Sequence, residues 1–258
     1  MKKHFILSVL LLSVAVGMVS CYSHRDADSV ISSSASANST DTQQDKVIAS
    51  DTVKDFEQLL TESDIVSPLA IVDYLDFDTS SYPREYRPRF VVIHFVSAVV
   101  LDKADPFNRE TVRGIFEDGE IGIHYVIERD GTVLCWLPEE RAAWHAGKGV
   151  ISGEPAYTNV LNQYSIGIEV MAIGSQADMS HYLTEVEYAA LNPLFYGYTD
   201  EQYDALSALV SDICDRWHIP CERDYVIGHE EYSANKSDPG ELFDWDKLMT
   251  KIRKRGNG

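Results

Sequence analysis

The stretch FVVIHFV, residues 90–96, places a single histidine, His94, inside a run of β-branched and aromatic side chains. A continuous apolar run of this length is typical of a strand that is buried on both faces. A buried imidazole needs a polar partner, so His94 is either a hydrogen-bonded core histidine or a ligand. This strand therefore forms the predicted centre of the fold.

Strands and helices alternate irregularly on both sides of this run. An Asp-Gly pair at 130–131 between two strand-like runs predicts a hairpin. Asp105-Pro106 is typical of a helix start, with the aspartate as N-cap. The order predicts an α/β fold with a central mixed β-sheet flanked by helices. Further strands are predicted over 121–128, 132–137, 165–171 and 225–228, and helices over 108–116, 184–191, 200–217 and 245–251.

The first 20 residues have the features of an export signal. Lys2 and Lys3 precede an apolar run over 5–16 that is too short for a membrane-spanning helix. Met18-Val19-Ser20-Cys21 resembles a bacterial lipobox, which predicts lipid attachment at Cys21 and a membrane-anchored lipoprotein of the cell envelope, in the outer membrane or periplasm. The alternative is an ordinary cleaved signal peptide without lipid.

Composition divides the rest of the 258-residue chain into three parts. Residues 21–50 are rich in Ser, Ala, Asp and Thr and predict a flexible tether. Residues 51–88 read as an N-terminal extension with a short helix over 52–60. The folded domain is predicted over 89–258, and a monomer is expected.

The strong negative charge excludes one class of partner. The formal net charge is −19, and removal of residues 1–20 takes away two lysines and no acids. Such a chain repels phosphate backbones, so we expect no binding to nucleic acid.

Three cysteines remain if Cys21 is lipidated. Cys135 lies in a strand-like run and reads as a buried free thiol. Cys214 and Cys221 flank a predicted helix end and could pair, because an exported protein meets an oxidising compartment. A Cys-x-x-Cys motif is absent, so a thiolate zinc site is not supported.

A loop near the end of the chain collects further reactive side chains. His229 follows a predicted strand, and Lys236 and Asp238 come shortly after it. Two imidazoles and one carboxylate form a ligand set that zinc accepts, with a fourth position left open. If the fold brings His94, His229 and Asp238 together, the chain is predicted to be a metallohydrolase. The helical His-Glu-x-x-His motif is absent, since position 233 is serine.

Five segments occur in an order that resembles a known family. The segments are Val92-Ile93-His94, His124 through Gly131, Ala143 through Gly147, Ser165 through Glu169, and Gly228-His229 with Lys236 through Gly240. With these segments the chain is similar to the zinc-dependent N-acetylmuramoyl-L-alanine amidases of the AmpD type, which are related to phage lysozyme-amidases and animal peptidoglycan recognition proteins. The resemblance covers about residues 89–252.

The resemblance implies one Zn²⁺ per chain, with His94, His229 and Asp238 as ligands. It implies that Glu169 handles protons and that Lys236 stabilises the reacting oxygen. Some relatives carry a catalytic tyrosine where this chain has Ile123. The chain therefore matches the branch that uses the glutamate, which places more of the proton transfer on Glu169.

Three more side chains are candidate contacts with the substrate. His145 is expected to line the groove and contact the sugar or peptide, and Trp144 to stack on a saccharide face. His124 is expected to be buried beside the metal and to support it from behind. Each of them could instead be purely structural.

The implied activity is cleavage of the amide between N-acetylmuramic acid and L-alanine in peptidoglycan or muropeptides. A peptidoglycan-binding module without catalysis is the alternative from another class, and a zinc peptidase acting on another amide is a third. The resemblance leaves open whether intact sacculus or 1,6-anhydro-muropeptides are the substrate. The aromatic-rich segment 174–198 could shape that choice.

Overall fold

Residues 65–255 are described by the structure, a computed structural model. The predicted signal peptide, tether and helix over 52–60 lie outside the described residues. No helix within residues 65–255 is both long enough and apolar enough to span a membrane.

A mixed sheet forms the centre of the described part of the chain. The strands are β1 (Ile71–Val72), β2 (Ser81–Pro83), β3 (Phe90–Val96), β4 (Tyr125–Ile127), β5 (Val133–Cys135), β6 (Arg141–Ala143), β7 (Ser165–Met171) and β8 (Val226–Gly228). Six of these strands form one sheet in the order β1-β5-β4-β7-β3-β8, and β2 pairs with β6. Strands β4 and β5 are antiparallel, whereas the other neighbours in the large sheet are parallel. The predicted mixed sheet is confirmed.

Helices cover both faces of this sheet. They are α1 (Phe77–Ser80), α2 (Arg109–Gly119), α3 (Leu161–Tyr164), α4 (Glu185–Ala189), α5 (Asp200–Trp217), α6 (His229–Tyr232) and α7 (Trp245–Arg255). The N-cap of the longest, α5, is Thr199, whose side chain accepts a hydrogen bond from the Gln202 main chain. Helices α5 and α7 pack on one face, with their apolar residues in a common core with the strands.

Alternation along β3 separates the two faces of the sheet. Val91 and Ile93 point into the core beneath α5 and α7. On the opposite face Val92 joins an apolar cluster at one end of the strand, and Val96 joins a different cluster beside α2. His94 lies between these two clusters, on the face where the structure leaves a cavity.

The helix start predicted at Asp105 is wrong. Helix α2 begins at Arg109, and its N-cap is Asn108, whose side chain accepts a hydrogen bond from the Thr111 main chain. The carbonyl of Pro106 accepts a hydrogen bond from the main chain of Ala98 instead. The Asp-Pro pair therefore belongs to the loop that precedes the helix.

The folded domain also begins earlier than residue 89. Strand β1 pairs with β5, and β2 pairs with β6. Arg84, only 4% exposed, donates hydrogen bonds to four main-chain carbonyls. The described part of the predicted extension, residues 65–88, is thus built into the domain.

None of the three cysteines within residues 65–255 forms a disulfide bond. Cys135 is buried in β5, as expected. The thiols of Cys214 and Cys221 form a hydrogen bond with one another without a covalent link.

Candidate metal site

Parallel strand pairing brings distant residues to one place on the sheet. His94 on β3 pairs directly with Glu169 on β7, so both side chains lie on the same face. Strand β8 also runs parallel to β3, with Gly228 opposite Ile93. The next residue, His229, therefore enters α6 beside His94.

Three donor atoms converge at this point. Nδ1 of His94 lies 3.1 Å from Nδ1 of His229 and 2.8 Å from Oδ2 of Asp238. Nδ1 of His229 lies 3.0 Å from the same carboxylate oxygen. Both histidines are buried, and their ligand atoms with that of Asp238 all lie within 4.8 Å of one another. The structure therefore brings together the three residues that the sequence predicted.

Hydrogen bonds behind the rings fix which nitrogen of each histidine faces the site. Nε2 of His229 lies 3.0 Å from the carbonyl of Ala146, which only accepts, so the proton is on Nε2. Nε2 of His94 lies 3.0 Å from Nδ1 of His145, whose own Nε2 lies 3.0 Å from the Ser165 hydroxyl. That hydroxyl donates onward to a main-chain carbonyl of α3. This relay leaves a lone pair on Nδ1 of both His94 and His229, directed at the site.

The protonation states also fit a metal. Burial, together with the neighbouring His229, lowers the pKa of His94 to about 4. Burial alone would raise the pKa of Asp238, but the two neighbouring histidines hold it well below its usual value. A neutral imidazole and an ionised carboxylate are the forms that ligate. Two imidazole nitrogens and one carboxylate oxygen form a donor set that suits zinc.

Glu169 contributes a carboxyl group to the same cavity. It is partly exposed to the cavity, yet its Oε2 is buried and accepts no hydrogen bond. Burial, together with the negative charge of Asp238, raises its pKa well above the usual value. An unpaired buried carboxylate is costly, so its presence beside a ligand cluster points to chemistry at this position.

Lys236 places a cation at the same cavity. The side chain is half-buried in the loop that leads to Asp238 and lines the cavity wall. Its charge lowers the pKa of both Glu169 and His94, which shows that it lies within electrostatic reach of both. A cation in this place can stabilise negative charge that develops on a substrate oxygen.

His145 lines the cavity, as predicted, and its contact with substrate stays a prediction. The side chain is only 7% exposed, and both ring nitrogens are paired, one with His94 and one with Ser165. His145 therefore also fixes the orientation of His94. Trp144 lines the same cavity, and its ring lies against Tyr82 with 4.1 Å between the ring centroids.

The side chain of His124 is fully buried, as predicted, which leaves no surface for contact with substrate. Its Nδ1 accepts a hydrogen bond from the main chain of Gly167, and its Nε2 donates to the carbonyl of Arg141. Burial and the charge of Arg84 lower its pKa to about 3. The ring lies behind His145, with 5.8 Å between the ring centroids.

The site forms part of a cavity of about 550 Å³. Two walls of this cavity lie outside the five segments that carry the family resemblance. One is the loop over 97–101, and the other is the segment over 177–182, which contributes the exposed side chains of His181 and Tyr182. The aromatic content of the segment 174–198 was the available signal.

The fold and the donor set define a candidate metallohydrolase with an acid and a cation beside the metal ligands. Residues 84–241 match the sequence profile of the N-acetylmuramoyl-L-alanine amidase family, Amidase_2. This match covers more than half of the chain, which therefore belongs to that family of enzymes.

Curated relatives and a solved structure agree with this assignment. The chain is 28% identical over 184 residues to the 1,6-anhydro-N-acetylmuramyl-L-alanine amidase AmpD of Escherichia coli K12, covering 67% of this chain and 86% of AmpD. It is 26% identical over 216 residues to AmpD of Haemophilus influenzae, covering 78% of this chain and 98% of that protein. A crystal structure of a selenomethionine derivative of AmpD superposes with a TM-score of 0.52 at 22% identity, covering 72% of this chain and 96% of the other. The latter similarity shows a shared fold.

Proposed function

We propose that the chain is a zinc-dependent amidase that cleaves the bond between the lactyl group of N-acetylmuramic acid and L-alanine of the stem peptide. The observation that carries this proposal is the convergence of His94, His229 and Asp238 beside the unpaired carboxyl of Glu169. An amide is a poor electrophile, and zinc would supply a Lewis acid together with a lowered pKa for water.

The protein side chains would divide the remaining work. Glu169, with its raised pKa, takes a proton from the attacking water and passes it to the departing amine of L-alanine. Lys236 stabilises the negative charge that develops on the carbonyl oxygen, a contribution typically of roughly 10²–10³ in rate. His145 keeps His94 in the tautomer and orientation required of a ligand.

Mass spectrometry of muropeptides tests this assignment. Incubation with the zinc-loaded protein should release a saccharide with a free lactyl carboxylate and a peptide that begins with L-alanine. The variant Glu169→Gln should retain its zinc but lose roughly 10²–10⁴ in rate. Cleavage within the stem peptide would instead support a zinc peptidase, and binding without cleavage would support a non-catalytic module.

We propose 1,6-anhydro-muropeptides as the substrate, since the curated relatives are named for that chemistry. Initial rates on soluble 1,6-anhydro-muropeptides and on intact sacculi test the choice. A higher rate on the soluble fragments is expected. Preferential digestion of the sacculus would contradict it.

We propose that the mature protein is anchored in the cell envelope by lipid on Cys21, in the outer membrane or facing the periplasm. The lipobox-like run Met18 through Cys21 supports this proposal. Cys21→Ser should move the protein from membrane to soluble fractions. Continued membrane association of this variant would count against a lipid anchor.

We also propose a monomer with one zinc per chain. All the residues at the candidate site come from a single chain, so the site needs no second copy. Analytical ultracentrifugation should give the mass of one chain, and a stable dimer would contradict this.

A further inference from the structure

The segment 174–198, defined by its aromatic content, lines the cavity and contacts the chain directly after Asp238. It has an apolar cluster of its own, in which Met179, Leu183 and Leu191 pack with Val99 and Ile173. These packed side chains give the segment a fixed position against the sheet. It is therefore a rigid support from which contacts can be made.

Asp178 makes the first such contact. Its side chain is 7% exposed, and Oδ2 accepts hydrogen bonds from the main chain of Ser175 at 2.8 Å and of Glu241 at 3.2 Å. Gly240 has φ +78°, and a Cβ at this position would lie 2.5 Å from the same oxygen. The loop can approach Asp178 this closely only because residue 240 is glycine.

Tyr198 makes the second contact, at the other end of the segment. Its hydroxyl donates a hydrogen bond of 2.6 Å to the carbonyl of Pro239, the residue after Asp238. The ring packs edge-on against Phe243, with 4.9 Å between the ring centroids. The two contacts from the segment therefore hold three consecutive residues, 239–241, directly after the ligand.

We propose that Asp178 and Tyr198 form a clamp that positions the carboxylate of Asp238 as the third metal ligand. Both are positioning residues, because they act through the main chain of residues 239–241. This inference rests on the proposed zinc site. Groups that orient a metal ligand without binding the metal themselves typically contribute roughly 10–100-fold in metal affinity.

Zinc affinity of the metal-free full chain tests the clamp, with a chromophoric chelator as the competitor. Asp178→Ala should weaken zinc binding roughly 10–100-fold. Asp178→Asn keeps an acceptor oxygen and should retain most of the affinity. Tyr198→Phe, which removes one hydroxyl, should weaken binding by a smaller factor.

Asp130→Ala is the matched control. Asp130 also accepts a main-chain hydrogen bond in a turn, from Thr132 at 2.9 Å, but it does not line the cavity. This variant should bind zinc as the wild type does. Unchanged zinc affinity in folded Asp178→Ala and Tyr198→Phe would overturn the clamp. If Asp178→Ala does not fold, unchanged zinc affinity in Tyr198→Phe alone would overturn it. Absence of zinc binding by the wild type would overturn the metal site itself.

Discussion

The carboxyl group of Glu169 has one oxygen that is buried and accepts no hydrogen bond. Burial and the nearby charge of Asp238 raise its pKa well above 4.5. Between its usual pKa and the raised value, the folded chain binds more protons than the unfolded chain. The metal-free protein therefore loses stability at this position as the pH rises through that range.

We predict that Glu169→Gln stabilises the metal-free protein at neutral pH, because glutamine carries no charge to desolvate. The gain should shrink as the pH falls through 4.5, because below that pH the wild-type carboxyl becomes protonated in both states. Urea unfolding across this pH range measures the difference. A variant that is less stable than the wild type at neutral pH would contradict the prediction that the charge of Glu169 destabilises the metal-free protein.

The ligands could be predicted from residue types and order, but the partners of the other histidines could not. His94, His229 and Asp238 lie in recognisable segments, and the structure brings them together. Whether His145 faces substrate or His94 depends on the position of Ser165, which only the tertiary structure supplies. A buried imidazole in a motif predicts importance without specifying which atoms it contacts.

At the scale of elements, strand β7 is built around close packing at Gly167. A Cβ at this position would lie 2.6 Å from Cδ1 of Ile123 and 2.7 Å from Nδ1 of His145. The same nitrogen of His145 pairs with His94. The absence of a side chain at Gly167 therefore allows the ring to support the metal ligand.

We predict that Gly167→Ala destabilises the protein by roughly 1–3 kcal/mol through overpacking. It should also weaken zinc binding, because the ring of His145 must move. Gly114→Ala in α2 is the matched control, since a Cβ there meets nothing within 4 Å. The control should be stabilising by about 0.5–1 kcal/mol, because alanine is the better helix former. Equal effects of the two substitutions in denaturant unfolding would contradict this packing.

The long elements were predictable because their patterns are strong. The predicted bounds of β3, β7 and α5 match the observed ones. The start of α2 was predicted at the wrong residue, because Asp105-Pro106 and Asn108 are both typical of a helix start. In the folded chain the carbonyl of Pro106 accepts a hydrogen bond from the main chain of Ala98, so the helix begins after Asn108 and not at Pro106.

At the scale of the whole molecule, residues 65–88 complete the domain. Arg84 satisfies four main-chain carbonyls, and each buried group left without a partner costs about 1–3 kcal/mol. Loss of strands β1 and β2 adds to this cost. The total is comparable to the free energy of unfolding of an ordinary domain, roughly 5–15 kcal/mol.

We predict that a chain that begins at residue 65 folds, whereas one that begins at residue 89 does not. Circular dichroism and the cooperativity of thermal unfolding would distinguish them. Cooperative unfolding of the shorter chain would show that residues 65–88 are dispensable.

The domain boundary was hard to predict because β1 and β2 are very short and pair with distant strands. Ile71 and Val72 are more than half exposed, so β1 has no apolar pattern typical of a core strand. No pattern in the sequence distinguishes Arg84 from an arginine on the surface. Its burial follows from the carbonyls that surround it in the folded chain.

The central claim is that His94, His229 and Asp238 hold one divalent ion. Metal analysis after zinc loading and gel filtration tests it most directly, on the wild type, on Asp238→Ala and on Glu241→Ala, whose exposed side chain lies just beyond the ligand. The account predicts one zinc per chain in the wild type and in Glu241→Ala, and loss of zinc from Asp238→Ala. Stoichiometric zinc in Asp238→Ala would contradict it.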